Sequence, residues 1–150
     1  MSEKPISPLR QRMIEDMSVR NFVEKTRNDY IRHVRTFTAF LGRSPDTATA
    51  EDLRRFQLHQ TQTGVRAPSI NGSGAALRFF FTVTLGRADM ARQLTFVREP
   101  RKIPTVLSEE EIVRLLEAAA GPKYKAALAA AYGAGLRVSE VVALKVSDVD

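Results

Sequence analysis

The 150-residue sequence contains no cysteine, no tryptophan and only two histidines, His33 and His59. Without cysteine, the chain can form neither a disulfide framework nor a thiolate metal site. The two histidines lie far apart in sequence and have no carboxylates at ligand spacing around them. We therefore expect no bound metal ion.

Long apolar runs are also missing. No stretch approaches the roughly 20 apolar residues that a membrane span needs, and the N-terminus has no apolar signal region. We expect a soluble, cytoplasmic protein without a membrane partner. A chain of 150 residues fits one ordinary domain or two small ones, and 43% hydrophobic residues is enough for folded cores.

Positive charge is present in excess but is unevenly distributed. Residues 1–102 contain 18 Lys/Arg against 10 Asp/Glu, a net charge of +8, whereas residues 103–150 contain 5 against 7, a net charge of −2. An excess of arginine favours contact with nucleic-acid phosphates, although many small soluble domains also carry a basic surface. The N-terminal two thirds are therefore the candidate nucleic-acid-binding part.

Four short helices with brief loops are predicted in this basic part. Ser7 and Pro8 begin the first, which runs to about Met17, and the second runs from about Asn21 to Leu41. Threonine and proline signals begin the third and fourth, at Thr49 and Pro68. No strand is predicted before the final residues. The fold class is therefore all-α, with a four-helix bundle first.

A linker should separate this bundle from the rest of the chain. Residues 98–104 contain two prolines and no hydrophobic periodicity, which is typical of extended chain. Ser108 and Glu111 then have the spacing of a capping box, with a helix to about Ala120. A second helix is expected from Lys123 to Tyr132. We expect Tyr30, Tyr124 and Tyr132 to be core residues of their helices.

Basic and polar residues line one side of the predicted second helix, opposite an apolar side that includes Val23, Thr26, Tyr30, Val34, Phe37 and Leu41. These candidate DNA contacts, spaced at i, i+3, i+7 and i+10, are Lys25, Asn28, Arg32 and Arg35. They could track a phosphate backbone, or they could form an ordinary solvated helix face.

The fourth helix has small and polar residues in its N-terminal half. Gly72 and Gly74 each cost roughly 1 kcal/mol relative to alanine within a helix, so a close approach should compensate. Either a DNA backbone or a neighbouring helix could make that approach. Ser69 and Asn71 are candidate donors to DNA, and Arg78 is a candidate base or phosphate contact on the same helix.

Arg137 lies in the segment Gly133-Ala134-Gly135-Leu136-Arg137-Val138-Ser139-Glu140. Gly133 and Gly135 can adopt the left-handed conformation that ends a helix, and an arginine fixed at such a corner suits a phosphate. An apolar face is expected to hold the corner rigid; it comprises Val138, Val141, Val142 and Leu144. Glu140 could accept hydrogen bonds from Arg137, and the simplest alternative is a salt-bridged arginine at a helix corner.

This segment, with Leu144 to Asp150 after it, resembles the first arginine box of the tyrosine recombinases, the phage integrase and Xer-type enzymes. Ala134 stands where the family usually has threonine, and Val141 where it has leucine. Residues 103–108 resemble the family's interdomain linker. Further resemblance to its first core-binding helices lies at Thr26, Tyr30, Phe37, Phe40 and Leu41.

The resemblance implies a SAM-like core-binding, DNA-binding domain at 1–98, a linker at 99–107 and the start of an incomplete α+β catalytic domain at 108–150. It implies double-stranded DNA as partner, self-association on DNA as a further contact, and neither a cofactor nor a small-molecule substrate. Arg137 would be the family's first phosphate-binding catalytic arginine. Arg101 and Lys102, in the linker, complete the expected DNA contacts.

The family's other catalytic residues follow the arginine box: a hairpin lysine, a His-x-x-Arg pair, a later His or Trp, and the tyrosine that forms a 3′-phosphotyrosyl intermediate. Neither His33 nor His59 is followed by arginine at the third position. We therefore expect the N-terminal portion of an integrase used in DNA integration and recombination, which binds DNA but does not cleave it alone. The alternative is a stand-alone helical DNA-binding or regulatory protein.

Overall fold

A computed structural model describes residues 7–99 and 103–148. These residues form two compact units, Met1–Arg101 and Lys102–Asp150, and contain no strand. The first unit holds α1 (Pro8–Val19), α2 (Glu24–Leu41), α3 (Ala50–Gln62), α4 (Ala67–Phe79) and α5 (Ala88–Ala91). The second holds α6 (Glu109–Glu117), α7 (Pro122–Ala134) and α8 (Val138–Ala143). The all-α prediction is confirmed for the described residues.

Local sequence signals set most of the helix starts. The Ser7 hydroxyl accepts a hydrogen bond from the Arg10 backbone N–H at 3.4 Å, and Pro8 occupies the first turn of α1. Thr49 and Asp52 form a reciprocal capping box at α3. The backbone N–H and hydroxyl of Thr49 lower the pKa of the Asp52 carboxyl, since both donate to it.

Helix α2 begins at Glu24, three residues later than predicted. Asn21 takes the left-handed conformation with φ of 55°, and Val23 is extended, so neither can belong to the first turn. Val23 is 67% exposed, so its predicted place on the apolar face was wrong. Gly42, with φ of 68°, ends the helix after Leu41, which is the predicted end.

An aromatic core joins the helices of the first unit. Phe37 of α2 packs edge-on against Phe56 of α3, with ring centroids 5.1 Å apart. A second aromatic group lies beside it, where Phe22 contacts Tyr30 and Phe79 at 5.7 and 5.3 Å. The fully buried large side chains are Phe37, Phe56, Phe80, Phe81, Met13, Met17, Leu53 and Leu77. Burial of this apolar surface is the main stabilising contribution to the bundle.

The predicted fourth helix is continuous but changes its hydrogen bonding at its end. Residues Phe80–Thr84 form a π-helical turn, in which the Leu85 N–H donates to the Phe80 carbonyl at 3.0 Å. The buried residues of this helix and its π turn recur at spacings of three and four, at Ile70, Ser73, Leu77, Phe81 and Thr84. The π turn and the four-residue α5 were not predicted.

Close helix packing explains the glycine at the middle of α4. A Cβ atom added to Gly72 would lie 3.3 Å from His33 Nε2 on α2, closer than ordinary van der Waals contact. Of the two explanations considered for this glycine, the approach of a neighbouring helix therefore accounts for it without DNA. Helices α2 and α4 thus lie close together at this point.

The helices of the second unit are short and expose their apolar residues. The predicted Ser108–Glu111 capping box begins α6, which ends at Glu117 rather than near Ala120. None of the residues described in α6, α7 and α8 is buried. Tyr124 and Tyr132 are 59% and 61% exposed, so their assignment as core residues was wrong. Three short helices do not enclose enough volume to cover them.

Within residues 7–99 and 103–148, no helix combines the length and the apolarity that crossing a bilayer requires.

Candidate nucleic-acid interface

Helix α2 presents its predicted basic and polar side chains to solvent. Lys25, Asn28, Arg32 and Arg35 are all exposed, whereas Ile31, Val34 and Phe37 are buried. Because residues three or four positions apart share a helix face, the four exposed side chains form one stripe opposite the core. We call these four residues the α2 stripe.

One member of the α2 stripe is held by a carboxylate. Arg32 Nη2 lies 3.0 Å from Asp29 Oδ1, and both side chains are largely exposed. Exposed pairs of this kind contribute little free energy, so a phosphate could replace Asp29 at small cost. In the part of the chain that the structure describes, Lys25 and Arg35 make no ion pair.

The structure also brings Arg10 of α1 to the stripe, a residue that sequence reasoning missed. Arg10 and Arg35 line the same groove of about 640 Å³ between α1, α2 and the turn at Pro45. Met13 and Ile31 lie among its apolar lining residues. Arg10 lies three positions before the buried Met13, and residues at this spacing share a helix face. This spacing is the sequence signal that could have placed Arg10 beside the core.

The N-terminus of α4 is exposed at Ser69, as a DNA-contacting role requires. Arg66 precedes this helix as its N-cap residue and makes no side-chain capping bond. Both side chains are exposed beside the positive end of the helix dipole. Arg66 was not among the predicted contacts, because it lies before the helical pattern begins.

The donors of Asn71 and Arg78 are already engaged within the protein. Asn71 Nδ2 donates to the Val97 carbonyl at 2.9 Å and to Glu99 Oε1 at 3.0 Å. Arg78 Nη2 donates to the Leu94 carbonyl at 3.3 Å. The structure thus places these two residues with the chain segment that leaves the bundle, and DNA contact by them stays a prediction that competes with these bonds.

Arg137 is the N-cap residue of α8 and points its side chain into solvent. Its backbone N–H donates to Glu140 Oε2 at 2.7 Å, and its Nη1 donates to Glu140 Oε1 at 3.2 Å. The guanidinium side chain is 84% exposed, so most of its donors are accessible. This geometry agrees with the expected role of Glu140 as an acceptor.

The corner at Arg137 is held differently from the prediction. Gly135 takes the left-handed conformation with φ of 65°, and the Leu136 N–H donates to the Ala131 carbonyl at 2.9 Å. Gly133 lies inside α7 and does not turn the chain. Val138 and Val142 are each 80% exposed, so backbone hydrogen bonds and the Glu140 cap, not an apolar face, fix the corner.

His33 of α2 is half-buried and its imidazole faces Gly72 of α4. Burial lowers the pKa of its imidazole, and the neighbouring Arg32 lowers it further, while Asp29 acts in the opposite direction. Over the described stretches 7–99 and 103–148, no group of three His, Cys, Asp or Glu side chains could hold a metal ion. The predicted contacts Arg101 and Lys102 lie outside the described residues.

Comparison with protein families finds one match over more than half of the chain. Residues 9–89 match the family model described as phage integrase, N-terminal SAM-like domain. This range runs from the second residue of α1 to the second residue of α5, and it includes the helices that carry the α2 stripe and Arg78.

Known relatives and a solved structure carry related names. An integrase/recombinase of Sinorhizobium fredii, y4qK, is 43% identical over 150 residues, which cover 99% of this chain and 49% of the relative. Tyrosine recombinase XerA of Thermococcus kodakarensis is 32% identical, covering 82% of this chain and 50% of the relative. A crystal structure of XerA recombinase matches 95% of this chain and 51% of that chain, with a TM-score of 0.51 and 28% identity.

The chain spans about half the length of the curated relatives that it matches. The family match includes the bundle helices, and the relatives named integrase or recombinase extend it along the chain. The chain therefore belongs to the phage integrase family of tyrosine recombinases, and residues 9–89 are its N-terminal SAM-like domain.

Proposed function

We propose that the first unit binds double-stranded DNA as the N-terminal part of a site-specific tyrosine recombinase. The observation that carries the proposal is the α2 stripe, a row of exposed side chains on one side of a helix in a domain of this family. The net charge of +8 over residues 1–102 supports it. The proposed division is a DNA-binding domain at 1–98, a linker at 99–107 and part of a catalytic domain at 108–150.

The α2 stripe suits phosphate contact better than base recognition. Arginine guanidinium groups donate bidentate, charge-assisted hydrogen bonds to phosphate oxygens, and lysine adds a mobile positive charge. Such contacts release counterions from DNA and carry no sequence information themselves. Ser69 and Arg66, at the exposed start of α4, are further donors on the same unit.

In a complete recombinase, Arg137 would hold a non-bridging oxygen of the phosphodiester under attack. Charge builds on that oxygen in the transition state, so a preorganised guanidinium stabilises it. The Glu140 carboxylate accepts a hydrogen bond from Arg137 Nη1, while the other guanidinium donors stay exposed. Glu140 is thus a positioning residue for Arg137.

A salt titration tests the DNA proposal directly. If about five phosphates are contacted, log affinity should fall with log salt concentration at a slope near −4 to −5. Binding of a fluorescent duplex measured at several salt concentrations gives that slope. A flat response, or no binding at low salt, would remove the DNA-binding role.

Paired variants locate the interface. Arg32→Ala combined with Arg35→Ala should weaken binding to all duplex sequences alike and reduce the salt slope by about two, because two phosphate contacts are lost. The control, Arg54→Ala with Arg55→Ala, removes the same charge from exposed positions on α3. Equal losses in both pairs would assign binding to net charge rather than to the α2 stripe.

A further inference from the structure

The segment that leaves the bundle, residues 94–99, belongs to no helix and is hydrogen-bonded to side chains of α3 and α4. The side-chain amide of Gln57 on α3 forms hydrogen bonds with both the carbonyl and the N–H of Thr95. Gln57 Nε2 donates to the Thr95 carbonyl at 2.7 Å, and the Thr95 N–H donates to Gln57 Oε1 at 3.2 Å. The side-chain amide thus pairs with Thr95 as a neighbouring strand would.

Asn71 of α4 repeats this arrangement two residues further along. Asn71 Nδ2 donates to the Val97 carbonyl at 2.9 Å, and the Val97 N–H donates to Asn71 Oδ1 at 2.8 Å. In extended chain, alternate residues present both backbone groups to the same side. Two amides on neighbouring helices therefore hold alternate residues of one extended segment.

Side chains between and beside the two amides strengthen the contact. The Arg78 guanidinium lies 4.9 Å from the Phe96 ring centroid, and a Cβ atom on Gly74 would be 4.0 Å from the same ring. Leu94 is only 4% exposed and anchors the start of the segment. A Cβ atom at position 74 would meet the ring at ordinary van der Waals distance, so this packing does not require glycine there.

We propose that Gln57 and Asn71 are positioning residues that clamp residues 95–97 in one register and so fix where the chain leaves the bundle. The consequence of this clamp for recombination rests on the proposed function, because the clamp would set the point from which a catalytic unit is tethered. The hydrogen bonds are made to backbone groups. The clamp therefore selects extended conformation and register rather than side-chain identity.

The clamp changes the point from which the chain can extend toward Ser108, and the change in maximum reach is large enough to measure. Holding residues 94–99 extended carries the exit point up to about 17 Å from Leu94, at roughly 3.4 Å per residue. Nine peptide units then join Glu99 to Ser108, with a maximum reach of about 30 Å. Without the clamp, fourteen units from Leu94 could reach about 50 Å from a different origin.

Amide hydrogen exchange tests the clamp in the unaltered chain. The Thr95 and Val97 N–H groups should exchange at least tenfold more slowly than those of Phe96 and Arg98, since only the first two donate to an amide oxygen. Equal exchange at all four positions would overturn the proposal. No DNA enters this measurement, so its failure is distinguishable from failure of DNA binding.

Variants assign the protection to each amide. Gln57→Met should remove protection at Thr95, and Asn71→Leu should remove it at Val97, while amides in the middle of α2 keep theirs. Gln62→Met, at an exposed position of the same helix α3, is the control and should change neither. Retained protection in both clamp variants would overturn the assignment.

A distance measurement tests positioning itself, and the absence of native cysteine makes labelling specific. Spin labels at Thr36→Cys on α2 and Lys123→Cys on α7 report the separation of the two units. Combining Gln57→Met with Asn71→Leu should broaden that distance distribution, and Gln62→Met should leave it unchanged. An unchanged distribution in the combined variant would show that the clamp does not position the tether.

Discussion

At the scale of single residues, two glycines in α4 meet different neighbours. Gly72 faces His33 Nε2 at 3.3 Å, whereas Gly74 has only Phe96 within reach, at 4.0 Å. Both positions lie within a helix and neither has a positive φ. The same substitution should therefore have different effects at the two sites.

Gly74→Ala should raise the free energy of unfolding by about 0.5–1 kcal/mol, because alanine is the better helix former and its methyl group meets no clash. Gly72→Ala should raise the free energy of unfolding by less, since the His33 imidazole must move to admit the new methyl group. Denaturant unfolding measures both.

A second background checks the cause. In a His33→Ala chain, Gly72→Ala should recover the gain seen at Gly74. An identical effect of Gly72→Ala with and without His33 would mean that the helix contact is not what constrains this glycine.

The lowered pKa of His33 also predicts how the free energy of unfolding depends on pH. Its folded-state pKa lies below the ordinary 6.5, so the unfolded chain binds a proton first as the pH falls. The free energy of unfolding should therefore be highest above about pH 6.5 and should decrease toward pH 5, levelling once the folded imidazole is also protonated. Chemical denaturation across pH 5–8 measures this, and His33→Gln should flatten the curve. A slope that survives in His33→Gln would assign it to another group.

At the scale of elements, the signals that lie within a few residues of each other could be predicted from the sequence. The caps at Ser7, Thr49 and Ser108 each involve a partner three residues away, and each begins a helix as expected. The buried face of α4 follows from its 3.6-residue period. The exposed α2 stripe follows from the same periodicity on α2.

Features that depend on distant parts of the chain could not be predicted in this way. The clamp joins Gln57 to Thr95, thirty-eight residues apart, and involves amides that no local pattern marks. The late start of α2 accompanies Phe22 packing on Phe79, a contact that only the folded bundle creates. Arg10 likewise lines one groove with Arg35 only because the folded bundle brings α1 beside α2.

Helices α6 to α8 should open more readily than those of the bundle. Their described residues bury no side chain, so little apolar contact opposes local unfolding. We expect faster amide exchange after Ser108 than in residues 24–85, or self-association through this exposed apolar surface. Exchange as slow as that of the bundle, in a chain shown to be monomeric by sedimentation, would contradict this.

At the scale of the whole molecule, the 150-residue chain should not form a covalent adduct with DNA. Of the family's catalytic groups, the resemblance assigns only Arg137, and one arginine supplies neither a nucleophile nor a general acid. A nicked duplex carrying a candidate recombination site, followed by denaturing electrophoresis, measures adduct formation.

Exposure of the two C-terminal tyrosines makes this experiment informative. A denaturant-resistant protein–DNA band would overturn the expectation, and mapping it to Tyr124 or Tyr132 would assign chemistry to a residue that we take as unreactive. Tyr124→Phe and Tyr132→Phe are the matched controls, since each removes only a hydroxyl group.

The π-helical turn at Phe80–Thr84 has a consequence for comparing family members. Its carbonyl-to-amide bond spans five residues instead of four, so the turn accommodates one residue more than a regular helix does. A relative with one residue fewer at this point could keep α4 as an uninterrupted helix and bury the same side chains on either side. Single-residue gaps in alignments of this domain are thus expected to fall between positions 80 and 84, where a gap would mark a change in winding and not the loss of a core residue.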